Sequence, residues 1–251
     1  MPAKEEKSPA EGGRDAIHGG AAPMPAADAA ETERNLARAS LFSGLSADQL
    51  SRVAAITRPV RLAAGATLFS EGDPADGLYC VVEGVVRIFL TNPDGRELTI
   101  TLCEEGEVIG EVALLDGLSR SANAAALTDG TLLFVGRRVF LELFDEEPGL
   151  AKAIVLALCE RLRLATDKIN RAAFLDLRDR LLVLLRELAI VHGHIEPDAA
   201  VVDLDLTQGM LAQMLGATRE AVNKQLRLLQ KEGRIKVEGG RIAVSRLRPS
   251  S

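Results

Sequence analysis

From Ala151 onward the chain repeats apolar residues at alternating spacings of four and three: Ala151, Val155, Leu158, Leu162, Ala165, Ile169 and Ala172. Such a repeat is a heptad seam on one side of a helix, and a seam needs a partner helix. The run opens after Glu147-Pro148-Gly149 and keeps its helical period for about thirty residues, longer than an ordinary globular helix. The spacing therefore predicts a parallel homodimer joined along one long helix. Ile154, Leu156 and Leu164 lie off the seam, where they are expected to meet the domain that precedes it.

That preceding domain reads as β. From Val60 to Val135 short apolar runs are separated by Ala64-Gly65, Gly72-Asp73-Pro74, Asn92-Pro93-Asp94-Gly95 and Glu104-Glu105-Gly106. Turn residues at such regular intervals argue for an antiparallel roll or barrel. Leu78, Cys80 and Val82, and again Val86, Ile88 and Leu90, alternate as inward-facing positions would. Upstream, Leu36 to Ile56 carries helical periodicity, with Ser46 as a start signal.

Beyond the long helix, Thr207 is placed to cap a helix with apolar Met210, Leu211, Met214 and Leu215; Gly216 breaks it, and Thr218 caps the next, which runs through Leu228. Two short helices joined by a glycine turn make a helix-turn-helix. The second helix would bury Ala221, Val222, Leu226 and Leu229 and expose Arg219, Glu220, Asn223, Lys224 and Arg227, residue types that read base edges. Residues 235–244 then read as a small hairpin wing with Glu238-Gly239-Gly240 at its turn. From Val201 to the end there are nine Lys or Arg against five Asp or Glu, whereas the whole chain has a net charge of −6. A basic end on an acidic body is expected where only that end meets a polyanion.

The stretch Gly110 to Ala122 places a carboxylate and a guanidinium around a short run of backbone donors. Gly110 lets backbone approach a ligand closely. Glu111 to Leu115, with Val112 and Ala113, reads as one helical turn whose N–H groups face an anion. Arg120 is expected to fork onto phosphate oxygens, Glu111 to accept from a ribose hydroxyl, and Ser121 to add a donor.

With these residues in view, Gly110-Glu111 and Arg120-Ser121-Ala122 resemble the phosphate-binding cassette of cyclic-nucleotide-binding domains. Cassette, dimer helix and winged helix-turn-helix, in this order from about Leu41 to Val244, resemble the bacterial cyclic-AMP receptor protein family of transcription regulators. The hinge Ala173-Phe174-Leu175-Asp176 carries the resemblance too. It implies an α+β chain: residues 1–34 a disordered tail, 35–148 a cyclic-nucleotide-binding β-roll, 149–176 dimerisation helix and hinge, 177–251 a winged helix-turn-helix. It further implies cAMP or cGMP as allosteric ligand, palindromic double-stranded DNA and RNA polymerase as partners, and base contacts from Arg219, Glu220 and Lys224. Lys224 stands where the family pattern has Arg, so a two-pronged base contact is not implied there. Where the family presents adjacent hydroxyls to the purine, this chain has Ala165 and Thr166. Thr166 and Arg161 remain for the base, which leaves adenine against guanine open.

Composition narrows the rest. No run approaches the roughly 18 apolar residues of a membrane span, so a cytoplasmic protein is expected. Residues 1–30 hold nine Ala, four Pro and four Gly among mixed charges, unlike a signal peptide or a packed core. Cys80, Cys103 and Cys159 form no metal or disulfide pattern. His192-Gly193-His194 is expected to be a loop, with too few ligands for a metal. No nucleophile with its base, carboxylate pair or phosphate loop argues for an enzyme. The alternative to a nucleotide-responsive regulator is a ligand-independent one of the same fold.

Overall fold

The computed structural model describes residues 21–23, 29–204, 206–238 and 241–245. In chain order the elements are β1 (Ala21–Pro23), α1 (Ala29–Arg38), α2 (Ala47–Ala54), β2 (Arg58–Leu62), β3 (Thr67–Phe69), β4 (Gly77–Glu83), β5 (Val86–Thr91), β6 (Glu97–Cys103) and β7 (Val108–Ile109). There follow α3 (Glu111–Asp116), β8 (Asn123–Ala126), β9 (Gly130–Gly136), α4 (Arg137–Glu146) and α5 (Pro148–Phe174). The chain closes with α6 (Leu177–Val191), β10 (Gly193–Ile195), β11 (Ala199–Val202), α7 (Gln208–Leu215), α8 (Arg219–Lys231), β12 (Ile235–Glu238) and β13 (Arg241–Ser245).

Two antiparallel sheets, ordered β1-β2-β9-β4-β7 and β3-β8-β5-β6, form the roll. Its interior is apolar, with Leu62, Leu68, Val81, Val86 and Leu132 at the centre. A second core lies on the outer face of β4 and β9, where Leu78, Cys80, Leu133 and Val135 meet Leu36, Phe140 and Leu143 of the flanking helices and Phe42 of the turn after α1. β4 is thus buried on both faces. Leu78 and Cys80, expected inside the roll, face the helices, while Tyr79 and Val81 fill the interior. A strand covered on both sides loses the alternation from which a face can be read. Val86 and Ile88 do point inward, whereas Leu90 is exposed at the end of β5.

The amino-terminal expectations change in one place. The tail was expected to reach residue 34, but α1 begins at Ala29 and buries Thr32 and Leu36; residues 1–20 lie outside the described residues. The helical periodicity of Leu36 to Ile56 is divided between the end of α1 and α2, and Ser46 starts the second as expected. Residues 39–46 turn before Ser46 starts α2 with a reciprocal cap, accepting from the Gln49 amide while Gln49 Oε1 accepts from its own.

Pro148 opens α5, where its missing N–H costs nothing, and the helix runs 27 residues to an extended Leu175. Leu150 and Ile154 anchor it in the helical core. Leu156 and Leu164, expected against the roll, are exposed instead, as are the seam residues Val155, Leu162 and Ile169. The apolar surface of α5 therefore extends around more of the helix than one seam.

Asp176 caps α6 by accepting from the Asp179 amide. The third sheet, β10-β11-β13-β12, packs with α6, α7 and α8 around Leu181, Leu185, Leu211, Val222 and Leu229. His192-Gly193-His194 does not form the expected loop: Gly193 and His194 pair with Val202 and Val201. Gly193 permits this, because a Cβ there would lie 1.8 Å from the Val201 carbonyl oxygen. Asp205, the wing turn Gly239-Gly240 and Arg246 and Arg248 lie outside the described residues.

This carboxy-terminal domain is seated on the roll. Leu102 of β6 packs against its core, and β6 runs beside α7. His192 Nε2 lies 2.9 Å from Glu104 Oε1, and Arg171 of α5 pairs with Glu187 of α6 at 2.6 Å.

Candidate nucleotide cassette and nucleic-acid interface

β7 delivers the chain to Gly110, which has φ +90° and caps α3 without a side chain. A Cβ at this position would come within 2.2 Å of Arg120 Nη1, so backbone and guanidinium can share the space only because residue 110 is glycine. Gly117, also left-handed, stops α3 after six residues. The segment then returns to the roll through Arg120, whose amide donates to the Asp73 carbonyl and whose carbonyl accepts from the Gly72 amide, both at 2.9 Å.

Arg120 is 2% exposed and held from several sides. Nη1 donates to the Gly110 carbonyl at 3.0 Å; Nη2 donates to the Gly77 carbonyl at 2.7 Å and to Asp76 Oδ1 at 3.2 Å. Its guanidinium stacks over the Phe69 ring, 4.3 Å from the centroid. The fork expected to face an anion is thus engaged by the protein. Buried Nε has no partner among the described residues.

Glu111, 3% exposed, accepts through Oε1 from Arg161 Nη1, and Arg161 Nη2 also donates to the Val108 carbonyl. Burial raises the Glu111 pKa, and Arg161 opposes that shift. Oε2 of Glu111 is buried without a partner among the described residues. An unpaired buried acceptor and an unpaired buried donor, in a site only half satisfied by its own groups, are what a hydroxyl-bearing anion would complete.

Beside Arg120 lies a cleft lined by Gly110, Val112, Ala113, Arg120, Ser121 and Arg161 of the expected residues, whereas Glu111 is not among its walls. It also has walls that the sequence reading missed: Phe69, Ile88, Ile109 and Ala122. Apolar strand ends carry no local signature, although Ala122 completes the Arg-Ser-Ala run. The cleft encloses about 60 Å³, against ~300–1,000 Å³ for a typical small-molecule site. Arg161, expected at a base, reaches back to the cassette instead. Thr166 does not line this cleft; its hydroxyl donates to the Leu162 carbonyl one turn earlier, at 2.8 Å.

At the other end of the chain Thr207 Oγ1 accepts from the Met210 amide and Thr218 Oγ1 from the Ala221 amide, so both are caps. Gly216, at φ +60°, turns the chain between α7 and α8. Val222, Leu226 and Leu229 bury one face of α8, with Ala221 half-buried. Arg219, Glu220, Lys224 and Arg227 are exposed on the other, and Asn223 is half-buried beside them. Cationic groups held on a rigid helix over a capped amino end can follow a phosphate backbone while presenting side chains to a groove.

Residues 59–147 match the family model of the cyclic nucleotide-binding domain, and residues 179–248 match that of the Crp-like helix-turn-helix domain. The chain is 32% identical over 210 residues to a CRP-like cAMP-activated global transcriptional regulator of Mycobacterium tuberculosis, covering 84% of this chain and 94% of that protein. It is 28% identical over 183 residues to the cAMP-activated global transcriptional regulator CRP of Escherichia coli, covering 71% and 85%. Among solved structures, the c-di-GMP-responsive global regulator CLP of Xanthomonas campestris superposes with a TM-score of 0.72 at 28% identity, covering 79% of this chain and 99% of that one. A roll with a cassette, a long helix and a winged helix-turn-helix, joined in this order, place the chain in the CRP family of cyclic-nucleotide-binding, DNA-binding transcription regulators.

Proposed function

We propose that the chain acts as a cytoplasmic homodimer that binds cAMP or cGMP in each roll and, in the bound state, grips a palindromic DNA site to control RNA polymerase. The observation that carries the ligand reading is the pairing of orphaned buried groups, Glu111 Oε2 and Arg120 Nε, around a glycine-opened turn. In this reading Glu111 takes a ribose hydroxyl, the Val112 and Ala113 amides and Ser121 meet the cyclic phosphate, and Arg120 supplies the charge. Thr166, exposed on α5, is assigned to the purine once a second α5 lies beside it.

The dimer reading rests on Val155, Leu162 and Ile169, which are 57%, 68% and 70% exposed along one line of α5. Full burial of such side chains stabilises by ~1.5–3 kcal/mol each. A nucleotide that favoured one hinge state near residues 174–178 would then set two α8 helices one DNA turn, about 34 Å, apart.

The second reading is a regulator of the same fold that does not answer to a cyclic mononucleotide. Arg161 seated on Glu111 and the small cleft favour it, as does the likeness to a regulator named for c-di-GMP. Calorimetric titration of the dimer with cAMP, cGMP and c-di-GMP separates these readings. Tight binding of a mononucleotide supports the first; binding of none, or of c-di-GMP alone, supports the second.

A further inference from the structure

Arg87 of β5 is held by one arm only. Nη2 donates to Glu97 Oε2 at 2.6 Å, and the guanidinium stacks over the Phe89 ring, 4.0 Å from the centroid. Nη1, on the other arm, is buried without a partner among the described residues. Thr99 of β6 stands opposite Phe89 in the ladder and is 3% exposed, and its hydroxyl too has no partner among the described residues. Glu97 precedes Thr99 by two residues on the same face of β6, so the Arg87 side chain crosses Phe89 beside Thr99 to reach it. Two buried orphans therefore share one patch. It lies on the face opposite the cassette, because Ile88, the next residue of β5, lines the cleft there.

Charge separates this patch from a mere place for water. The Thr99 and Ile100 carbonyls accept from Lys168 Nζ of α5, which brings a second cation to the same strand. Burial pushes the Lys168 pKa down; Glu187 opposes that shift, but Glu187 is already paired with Arg171, whose charge adds to it. Arg87, Lys168 and Arg171 thus face two carboxylates, Glu97 and Glu187. A water can satisfy an N–H and a hydroxyl but leaves the excess of positive charge, which in a buried setting is costly unless an anion offsets it.

We propose that Arg87 Nη1 and Thr99 Oγ1 form a site for one small monovalent inorganic anion of the chloride class on the outer face of β5 and β6. The Arg87 N–H and the Thr99 O–H are its donors. Glu97 on the neighbouring arm repels a multiply charged anion, and the Phe89 ring beneath leaves little depth for a bulky one. The site shares no residue with the cassette cleft, so ion and nucleotide are separate ligands.

The test melts the full-length protein in sodium chloride and in sodium gluconate at equal ionic strength, gluconate being too large for the site, beside Thr99→Val and Arg87→Lys. Valine keeps the branched shape of threonine without its hydroxyl; lysine keeps the charge towards Glu97 but has no second arm. Wild type is expected to melt about 2–4 °C higher in about 0.2 M chloride than in gluconate, as for an ion that binds only the folded state, and both variants to lose most of that difference. The chloride NMR line, broadened by wild type, should be broadened less by either variant. Thr99→Val carries the sharper sign. With the ion bound, valine removes a ligand and the variant melts below wild type in chloride but not in gluconate; with no ion, valine removes an orphaned hydroxyl and melts above wild type in both salts. That second pattern, an equal chloride response in all three proteins, or no response in wild type overturns the site.

Discussion

Arg161 of α5 reaches Glu111 of the cassette across fifty positions of sequence, and the carboxylate it meets is almost wholly buried. The raised Glu111 pKa means that burial costs the charged form more than Arg161 returns. An acid with a folded-state pKa above its ordinary value lowers stability as pH rises from the unfolded pKa to the folded one, and adds nothing below both. Glu111→Gln should therefore be more stable than wild type at neutral pH, with the gap closing as pH falls from the raised folded-state value towards the ordinary 4.5. Thermal melts of both proteins against pH check this; the same variant should lose nucleotide binding.

Gly110→Ala combines a left-handed backbone with a steric conflict at Arg120. Backbone strain of this type costs ~1–3 kcal/mol, and displacing Arg120 would also undo its bonds to Gly110 and Gly77. Urea unfolding should show a loss in that range or above, and calorimetry should detect no nucleotide binding.

Arg120→Ala should abolish nucleotide-stimulated DNA binding while the protein sediments as the same dimer, because the exposed seam residues Val155, Leu162 and Ile169 are not among the walls of the cassette cleft. A normal response in that variant would remove the cassette assignment.

Ile169→Asp places a charge on the exposed seam at a position outside all three cores. Sedimentation should show a monomer whose circular dichroism matches the wild type. A dimer that survives the change would put the interface elsewhere.

Burial pushes the thiols of Cys80 and Cys103 up to about 12, while Cys159 is exposed on α5. Native protein should therefore take up one equivalent of a maleimide per chain, and unfolded protein three. Mass spectrometry reads the count directly.

What was legible in the sequence follows the reach of each interaction. Ser46, Thr207, Gly216 and Thr218 act within three or four residues, and the structure gives each the cap or turn expected of it. The cassette turn was legible for the same reason, since Gly110 to Ser121 is one short excursion of chain. The two faces of β4 were not, because burial on both sides removes the polar residues that would mark them. Nor were the partners of Arg120 and Arg161: Asp76, Gly77 and Val108 lie more than forty residues away, and no spacing rule links them. α1 was hidden by composition, since its alanines continue those of the residues before it.

α5 is one unbroken helix of 27 residues, about 40 Å long at 1.5 Å per residue. It meets the cassette through Arg161, β6 through Lys168 and α6 through Arg171. Because each residue turns the helix by about 100°, inserting or deleting a single residue between Arg161 and Lys168 would swing every later contact to another side. Loops elsewhere in the chain can drift in length, but in this segment the count of residues is itself inherited information. Even a change of seven residues, which nearly restores the facing, would slide the far contacts about 10 Å along the axis, away from the surfaces they now touch.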